Sequence, residues 1–357
     1  MWQGAGAARL GGQKLMANMS SVERVQRALR REIPDRVPVE PLFYHHPVRL
    51  AGISYARYCT DPDAVVAAQV GAWTLYGHDA LNIGTDIFVV AEAMGSTIQL
   101  HPDAAPTLVR PALADTKDLS VLHVPDPYHD GRMPVVLAAV RKAVETVGDK
   151  VFIKARYNST PFSLATRLRG IQRFLMDLYD DEQFVFDLLE FCVPVLLRYV
   201  RALVDQGAHA VVCSDSTANL MSREMYQKFA WPFERRVIGE IIGWGVPVYL
   251  HICGDTGRIV DLMAETGATC LEVDSQVDIG VYKQKVGHQV CLMGNLDTVS
   301  LLRWSPEEVL EASRACLEKA KDGSGYILSA GCEVPPDTPP ANIHAMVEAA
   351  RRYGRYD

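Results

Sequence analysis

The sequence predicts an α/β fold in which eight parallel strands alternate with helices, the (β/α)₈ or TIM barrel. Short apolar runs alternate with amphipathic stretches from residue 37 to the end of the chain. Most of these runs are continuously apolar, which is typical of parallel strands that helices cover on both faces. A doubly wound open sheet stays the alternative, because the alternation does not show whether the sheet closes.

Eight runs have the length and composition of buried strands. They are VPVEPLF (37–43), ALNIG (80–84), VFIKARY (151–157), AVVCSDS (210–216), VPVYLHIC (246–253), ATCLEVD (268–274), VCLMGNLD (290–297) and GYILSAG (325–331). Several of the stretches between them begin with Ser, Asp or Pro and end with Gly. These residues are favoured at helix N-termini and C-termini respectively, so the stretches are predicted to be the barrel helices.

Three segments depart from this alternation. Residues 96–132 contain short strand-like runs and turn residues, and they predict a β-hairpin insertion between the second and third units. Residues 1–18 are rich in Gly and Ala, and we expect a disordered tail there rather than a signal peptide. Residues 19–357 are expected to form a single catalytic barrel domain, with a helical extension before its first strand.

The overall composition narrows the class of protein. A net charge of −7 argues against a nucleic-acid binder, and no apolar run approaches the length of a membrane span. The eight cysteines show no dense spacing framework, and several lie inside strand-like runs. A reducing, cytoplasmic setting is therefore expected, with no nucleic-acid or membrane partner.

Polar residues follow the predicted strands, where a barrel enzyme collects its catalytic groups. The candidate catalytic residues are His45 after the first strand, Asp86 after the second, Tyr157 at the end of the third and Asp215 at the end of the fourth. Either aspartate could instead cap the following helix, and His45 could merely border the loop before Pro47. No glycine-rich dinucleotide or P-loop motif occurs in the sequence.

The most specific candidates are metal ligands. His251 and Cys253 are two positions apart in a strand and therefore point to the same face, and Cys332 ends the eighth predicted strand. Imidazole and thiolate are preferred zinc ligands, and a catalytic zinc keeps one coordination position open. An HxC pair alone is more often a packing feature, but the second cysteine favours a Zn²⁺ site. A carboxylate such as Asp274 or Glu272 could complete a resting tetrahedral shell.

Six stretches together carry a resemblance to a known family. They are TDIFVVAEAMG (85–95), STPFSLATRLRG (159–170), LVDQGAHAVVCSDS (203–216), LMAETGATCLEVD (262–274), MGNLD (293–297) and GCEVPPDTPPANIHAMVEA (331–349). Over nearly the whole chain, from about Val22 to Tyr353, the sequence resembles the uroporphyrinogen decarboxylase family. The resemblance implies a (β/α)₈ barrel.

Within that family the sequence departs from the decarboxylases. Their arginine-rich segment, which binds the porphyrinogen carboxylates, corresponds to PLFYHHPVRLAG (41–52) in this chain. Their pocket tyrosine aligns with Arg167, and their histidine near the last strand aligns with Cys332. Asp86 does match the decarboxylase aspartate, so a metal-free decarboxylase stays an alternative, as does a barrel with a purely structural zinc.

The HxC…C arrangement resembles the zinc signature of the methylcobamide:coenzyme M methyltransferase branch. The resemblance implies zinc bound by His251, Cys253 and Cys332, with Asp274 preferred over Glu272 as the acidic ligand. It also implies methyl transfer between a methylcorrinoid and a thiol or another small acceptor or donor. The chain lacks a cobalamin-binding DxHxxG motif, so we expect the corrinoid to arrive on a separate carrier protein. The direction of transfer and a homodimeric state are left open.

Overall fold

The computed structural model describes residues 19–356, so the expected tail at residues 1–18 lies outside the described part of the chain. Its strands are β1 (Ala80–Ile83), β2 (Thr97–Gln99), β3 (Thr107–Arg110), β4 (Phe152–Arg156), β5 (Ala210–Ser214), β6 (Val248–Ile252), β7 (Cys270–Val273), β8 (Cys291–Leu296) and β9 (Tyr326–Ala330). Seven of them form one parallel sheet in the order β1-β4-β5-β6-β7-β8-β9. Strands β2 and β3 pair antiparallel, which confirms the predicted hairpin insertion.

The helices between the strands form the outer layer. They are α1 (Ser21–Leu29), α2 (His46–Leu50), α3 (Tyr55–Thr60), α4 (Pro62–Tyr76), α5 (Val89–Ala93), α6 (Met133–Val147), α7 (Pro161–Arg169), α8 (Ile171–Asp180), α9 (Glu182–Asp205), α10 (Arg223–Met225), α11 (Trp231–Gly243), α12 (Val260–Glu265), α13 (Ile279–Val286), α14 (Thr298–Arg303), α15 (Pro306–Ala320) and α16 (Pro340–Tyr353). A π-helical turn, Tyr226–Ala230, joins α10 to α11. No helix in the described range has both the length and the apolar character needed to cross a membrane.

The first predicted strand, residues 37–43, is reduced to a single parallel bridge between Val39 and Leu328 of β9. Leu328 donates to the Pro38 carbonyl at 2.9 Å, and the Asp79 amide, just before β1, donates to the Val39 carbonyl at 2.7 Å. Pro38 and Pro41 have no N–H to donate, so a regular ladder cannot extend along this segment. The segment nevertheless links β9 to β1, the two edges of the sheet, and thereby closes the barrel.

The predicted helical extension before the first strand is present as α1, which covers the N-terminal end of the barrel. Ser20 caps this helix by accepting a hydrogen bond from the Glu23 amide. Its buried residues Val25, Ala28 and Leu29 belong to the same apolar cluster as the inward-facing residues at the starts of the strands. Apolar packing therefore fills the lower half of the barrel and leaves the upper half for polar groups.

A layer of buried charges separates this apolar floor from the mouth of the barrel. Lys154 Nζ lies 2.7 Å from Glu40 Oε2 and 3.7 Å from Glu272 Oε1, and all three side chains are buried. Arg156 Nη1 lies 3.1 Å from the same Glu272 oxygen. Burial alone would raise the pKa of Glu272, but the charges of Arg156 and Lys154 outweigh it and lower this pKa to about 2. Glu272 is therefore an ionised carboxylate directly below the mouth.

Candidate metal centre and its cavity

Three ligand-type side chains meet at the mouth of the barrel. The Cys253 and Cys332 sulfurs are 3.9 Å apart, Cys332 Sγ is 3.7 Å from His251 Nε2, and Cys253 Sγ is 3.0 Å from the same nitrogen. Around a tetrahedral zinc with bonds of about 2.0 Å to nitrogen and 2.3 Å to sulfur, neighbouring ligand atoms are about 3.5–3.8 Å apart. Two contacts match this spacing, and the third needs to lengthen by about half an ångström. The triplet therefore fits a zinc-sized ion.

The barrel brings these residues together because parallel strands end at one rim. His251 lies in β6, and Cys253 is the first residue after this strand. Cys332 lies just after β9, which is separated from β6 in the sheet by β7 and β8. Gly331 permits the approach of the Cys332 loop, because a Cβ at this position would lie only 2.4 Å from the Ser275 amide nitrogen. Gly254 turns the chain after Cys253 with a φ of +82°, a conformation that favours glycine.

The three side chains of the triplet shift one another's pKa values. The hydrogen bond from Cys253, helped by that from His251, lowers the pKa of Cys332 to about 4. The same contact raises the pKa of Cys253, with burial adding to the shift. Burial lowers the pKa of His251, but the hydrogen bond and charge of Cys332 outweigh it and raise the pKa overall. One thiolate is thus available at neutral pH, and the entry of a metal ion would displace the proton of the other thiol.

Glu272 faces the ring nitrogen of His251 that points away from the triplet. Its Oε2 lies 3.7 Å from Nδ1, and Nδ1 has no closer hydrogen-bond partner within the described residues. A carboxylate beside this nitrogen favours the tautomer that leaves Nε2 free to bind a metal. Glu272 therefore lies beside His251 and outside the triplet, at a distance longer than a direct hydrogen bond.

Asp274, the preferred fourth ligand, engages backbone amides in this structure. Its Oδ2 accepts from Gly254 at 2.8 Å, and its Oδ1 accepts from Gln276 at 3.1 Å. Within residues 19–356, the group of closely spaced metal-ligand atoms comprises His251, Cys253 and Cys332. A role for Asp274 as a ligand stays a prediction, and its observed contact holds the loop that follows Cys253.

A cavity of about 330 Å³ opens beside the triplet. All three ligand-type residues line it. The other lining residues are Leu42, Tyr44, His45, Asp86, Ile87, Phe88, Ala105, Pro106, Arg156, Ser214, Ser216 and Glu333. Most come from the loops after the strands, and Ala105 and Pro106 come from the hairpin insertion. The triplet therefore has room for a small molecule on one side.

Two of the four candidate catalytic residues line this cavity, and each has a charged partner. Asp86 forms a buried ion pair with Arg132, and its Oδ1 also accepts from the Phe88 amide at 2.9 Å. His45 Nδ1 is 2.6 Å from Glu333 Oε1, which also accepts from the His45 amide at 3.1 Å. The structure thus places Asp86 and His45 beside the candidate metal centre.

The other two candidates, Asp215 and Tyr157, are buried away from the cavity lining. Asp215 accepts a hydrogen bond from the Thr160 hydroxyl and caps the following turn by accepting from the Ala218 amide at 3.0 Å. Burial raises the pKa of Asp215 to about 6 and raises that of Tyr157 as well. Catalytic roles for both residues stay predictions, but these contacts are those of a cap and a packed core side chain.

The alternation of side chains along a strand explains why the residues that precede Tyr157 and Asp215 line the cavity and these two do not. Arg156 and Ser214 line the cavity, whereas Tyr157 and Asp215, one residue further on, do not. Successive side chains point to opposite faces of a strand, so the inward positions of β4 and β5 are the even-numbered ones. The same alternation, counted along the sequence, is a signal for Arg156, Ser214 and Ser216. Tyr44 and Glu333 lie in loops and offer no such signal.

The fold and the site can be compared with known proteins. A family model described as uroporphyrinogen decarboxylase (URO-D) matches residues 20–353. The chain belongs to the uroporphyrinogen decarboxylase family. Family membership confirms the resemblance predicted from the sequence.

Members of both branches of the family are similar to this chain. It is 30% identical over 346 residues to methylcobamide:CoM methyltransferase MtbA of Methanosarcina acetivorans, covering 95% of this chain and 99% of that protein. It is 29% identical over 343 residues to uroporphyrinogen decarboxylase of Methylococcus capsulatus, covering 92% and 96% respectively.

A solved structure of a methyltransferase from Methanosarcina mazei matches with a TM-score of 0.86 at 24% identity, covering 94% of this chain and 99% of that one. This match confirms the predicted (β/α)₈ barrel. The MtbA relatives at 30% identity confirm the predicted enzyme class, and this member of the uroporphyrinogen decarboxylase family is a methyltransferase.

Proposed function

We propose that this chain is a zinc-dependent methyltransferase that moves a methyl group between a methylcorrinoid and a thiol or another small acceptor or donor. The observation that carries the proposal is the triplet of His251, Cys253 and Cys332 beside a cavity. A purely structural zinc would be enclosed by its ligands, whereas here all three ligands line open space. The geometry therefore favours a catalytic ion.

Zinc, when bound by these residues, would hold a substrate thiol as its thiolate near neutral pH. The residues of the chain prepare the site for this chemistry. Cys253 and Cys332 would supply two negative charges, and the Glu272 carboxylate, 3.7 Å from Nδ1 of His251, would favour binding through Nε2. Leu42 and Phe88 line the cavity beside the triplet and would give a bound thiol apolar surroundings.

The proposed corrinoid partner follows from the relatives and from the size of the cavity. Relatives at 30% identity are named methylcobamide:CoM methyltransferases. A cavity of about 330 Å³ suits a small molecule rather than a whole corrinoid. We therefore propose that a separate carrier protein presents the methylcorrinoid at the mouth of the barrel.

The charges that line the cavity disfavour a porphyrinogen decarboxylase. Asp86, which would have to face pyrrole N–H groups, is neutralised by Arg132. Among the described lining residues the one arginine is Arg156, and Glu272 neutralises it. A substrate with several carboxylates would be buried there without counter-charges, which is strongly unfavourable.

Metal analysis of the protein purified under reducing conditions tests the proposal. We expect about one zinc per chain, and we expect Cys332→Ser to lose most of it because two protein ligands hold the ion far less tightly than three. Cys316→Ser is the matched control, since Cys316 is also half-buried but lies outside the triplet. Methylcobalamin demethylation by thiols, followed by its absorption spectrum, should fall in parallel with zinc content.

Wild-type protein without a zinc-like ion would refute the proposal. An equal loss of metal from Cys316→Ser and Cys332→Ser would refute the assignment of the ligands.

A further inference from the structure

The charged groups around the cavity determine whether it can bind an anionic substrate. Of the described lining residues, Asp86, Arg156, His45 and Glu333 carry or can carry charge outside the triplet. Asp86 is paired with Arg132, which also lies 2.7 Å from Glu92. The cation closest to Asp86 is thus fully engaged by protein carboxylates.

Arg156 is the strongest candidate to bind an anionic substrate group, and most of its donors are already used. Its Nη1 donates to Asn82 at 3.2 Å and to Glu272 at 3.1 Å, and its Nη2 donates to the other Glu272 oxygen at 3.3 Å. Its Nε donates to the Tyr44 hydroxyl, and its guanidinium lies 4.7 Å from the centre of the Tyr44 ring. Among the described residues one Nη2 N–H has no acceptor, but the positive charge of Arg156 is already balanced by Glu272.

His45 and Glu333 add no free positive charge at the rim. The ring and the backbone amide of His45 both face one oxygen of Glu333, and the ring stacks on Tyr55 with centroids 4.8 Å apart. A carboxylate at this place repels a substrate anion. A bound zinc ion would not offset this repulsion, because the two negative charges of the Cys253 and Cys332 thiolates would balance its charge of +2.

Much of the remaining wall of the cavity is apolar, and the neutral hydroxyl side chains of Tyr44, Ser214 and Ser216 complete it. The apolar part is formed by Leu42, Ile87, Phe88, Ala105 and Pro106. Such a wall gains free energy by covering hydrocarbon, at about 0.8 kcal/mol for each CH₂ group removed from water. An anionic group placed against it would lose its hydration without gaining a counter-ion.

We infer that the thiol or thioether used by this enzyme carries an uncharged, largely apolar substituent rather than a sulfonate or carboxylate. This inference rests on the proposed zinc–thiol function and adds the substrate class to it. It also separates this chain from relatives whose printed name gives CoM as the substrate. Differences in the cavity charge, rather than in the metal ligands, would then set the choice of thiol.

Thiol binding to the cobalt(II)-substituted protein tests the inference without an activity assay. Cys253 and Cys332 already give sulfur-to-cobalt absorption, and coordination of a substrate thiolate adds to it, so the increase in this absorption reports occupancy. The probes are 1-propanethiol and 2-mercaptoethanesulfonate, which have similar length and differ in charge. Each dissociation constant is calculated from the concentration of the thiolate form, so that a difference in thiol pKa between the two probes does not affect the comparison. We expect 1-propanethiol to bind at least about tenfold more tightly.

A pair of variants tests the role of charge. Ile87 lines the cavity and is 40% exposed, so it tolerates a polar replacement. Ile87→Lys should improve 2-mercaptoethanesulfonate binding several-fold relative to Ile87→Gln, which has a similar length and no charge. The ratio of the two variants for 1-propanethiol should stay near one.

The possible results distinguish a failure of this inference from a failure of the proposed zinc–thiol function. Equal or tighter binding of 2-mercaptoethanesulfonate by the wild-type protein would overturn the inference and leave the zinc–thiol function standing. No advantage of Ile87→Lys over Ile87→Gln for the sulfonate would overturn the electrostatic explanation. If cobalt binds but neither thiol alters its spectrum, the proposed thiol chemistry is wrong, and the substrate class falls with it.

Discussion

Replacement of Glu272 by glutamine removes one charge from the centre of the barrel and keeps the shape of the side chain. The carboxylate lies 3.1 Å from Arg156, 3.7 Å from Lys154 and 3.7 Å from His251 Nδ1. Glutamine can still accept one hydrogen bond from Arg156. It leaves Arg156 and Lys154 with only the Glu40 carboxylate as a buried counter-charge.

The size of the effect follows from the pKa of Glu272, which is lowered from its usual 4.5 to about 2. Such a shift corresponds to about 3 kcal/mol of stabilisation by the ionised form. Because the folded-state pKa is depressed, this stabilisation is fully present above the unfolded-state pKa and is lost as the pH falls towards about 2. We expect Glu272→Gln to lower the free energy of unfolding by about 3 kcal/mol at neutral pH, the lower end of the cost of breaking a buried ion pair.

Urea unfolding of the metal-free protein measures this difference, with Glu311→Gln as the control because Glu311 is a largely exposed glutamate. The gap between wild type and Glu272→Gln should narrow as the pH falls below about 4.5, whereas Glu311→Gln should follow the wild type throughout. In a separate titration, the zinc affinity of Glu272→Gln should fall by about 10–100-fold, because His251 loses the carboxylate that orients it.

Three results would contradict this reasoning. An unfolding free energy within about 0.5 kcal/mol of the wild type would mean that the ion pair contributes little. A gap independent of pH would assign the loss to packing rather than to charge. Unchanged zinc affinity would show that the 3.7 Å contact does not orient His251.

Three further predictions concern other parts of the barrel. Asp86→Asn should lower the free energy of unfolding by about 3 kcal/mol, measured with urea, because Arg132 would keep only Glu92 as a partner. Leu29→Ala should cost about 2–5 kcal/mol through a cavity under the barrel and leave zinc content unchanged, which unfolding and metal analysis together would show. The pKa of Asp215 is raised from its usual 3.8 to about 6, so the stability that its protonated form contributes is lost as the pH rises between these two values. Asp215→Asn should therefore gain stability relative to the wild type between about pH 4 and pH 6, and a constant difference in Tm would contradict this account.

Local sequence patterns were sufficient for most strands and insufficient for one. Continuous apolar runs correspond to β1 and to β4–β9, because burial on both faces requires apolar residues at every position. The run at residues 37–43 has the same composition, yet it forms one bridge because Pro38 and Pro41 cannot donate hydrogen bonds. These two prolines are themselves a sequence signal against a regular strand in this segment.

For the candidate site, too, the sequence was sufficient for some residues and insufficient for others. The types and spacing of His251, Cys253 and Cys332 are enough to indicate a metal centre, because the order of strands places their ends at one rim. The choice between adjacent residues such as Arg156 and Tyr157 depends on the direction of each side chain. Alternation puts Arg156, the last residue of β4, and Tyr157, which follows it, on opposite faces, and the tertiary structure decides which face points into the barrel.

By itself the sequence determined the alternation of strands with helices, the helical extension, the hairpin insertion and the residue types of the candidate metal ligands, and it left open whether the sheet closes. These properties depend on local periodicity and residue type, which can be read along the chain. Only the tertiary structure decided the pairing of Asp86 with Arg132 and of Glu272 with Arg156, since the partners lie 46 and 116 positions apart. Those distant pairings neutralise the cavity, and the inferred preference for an uncharged substrate depends on them.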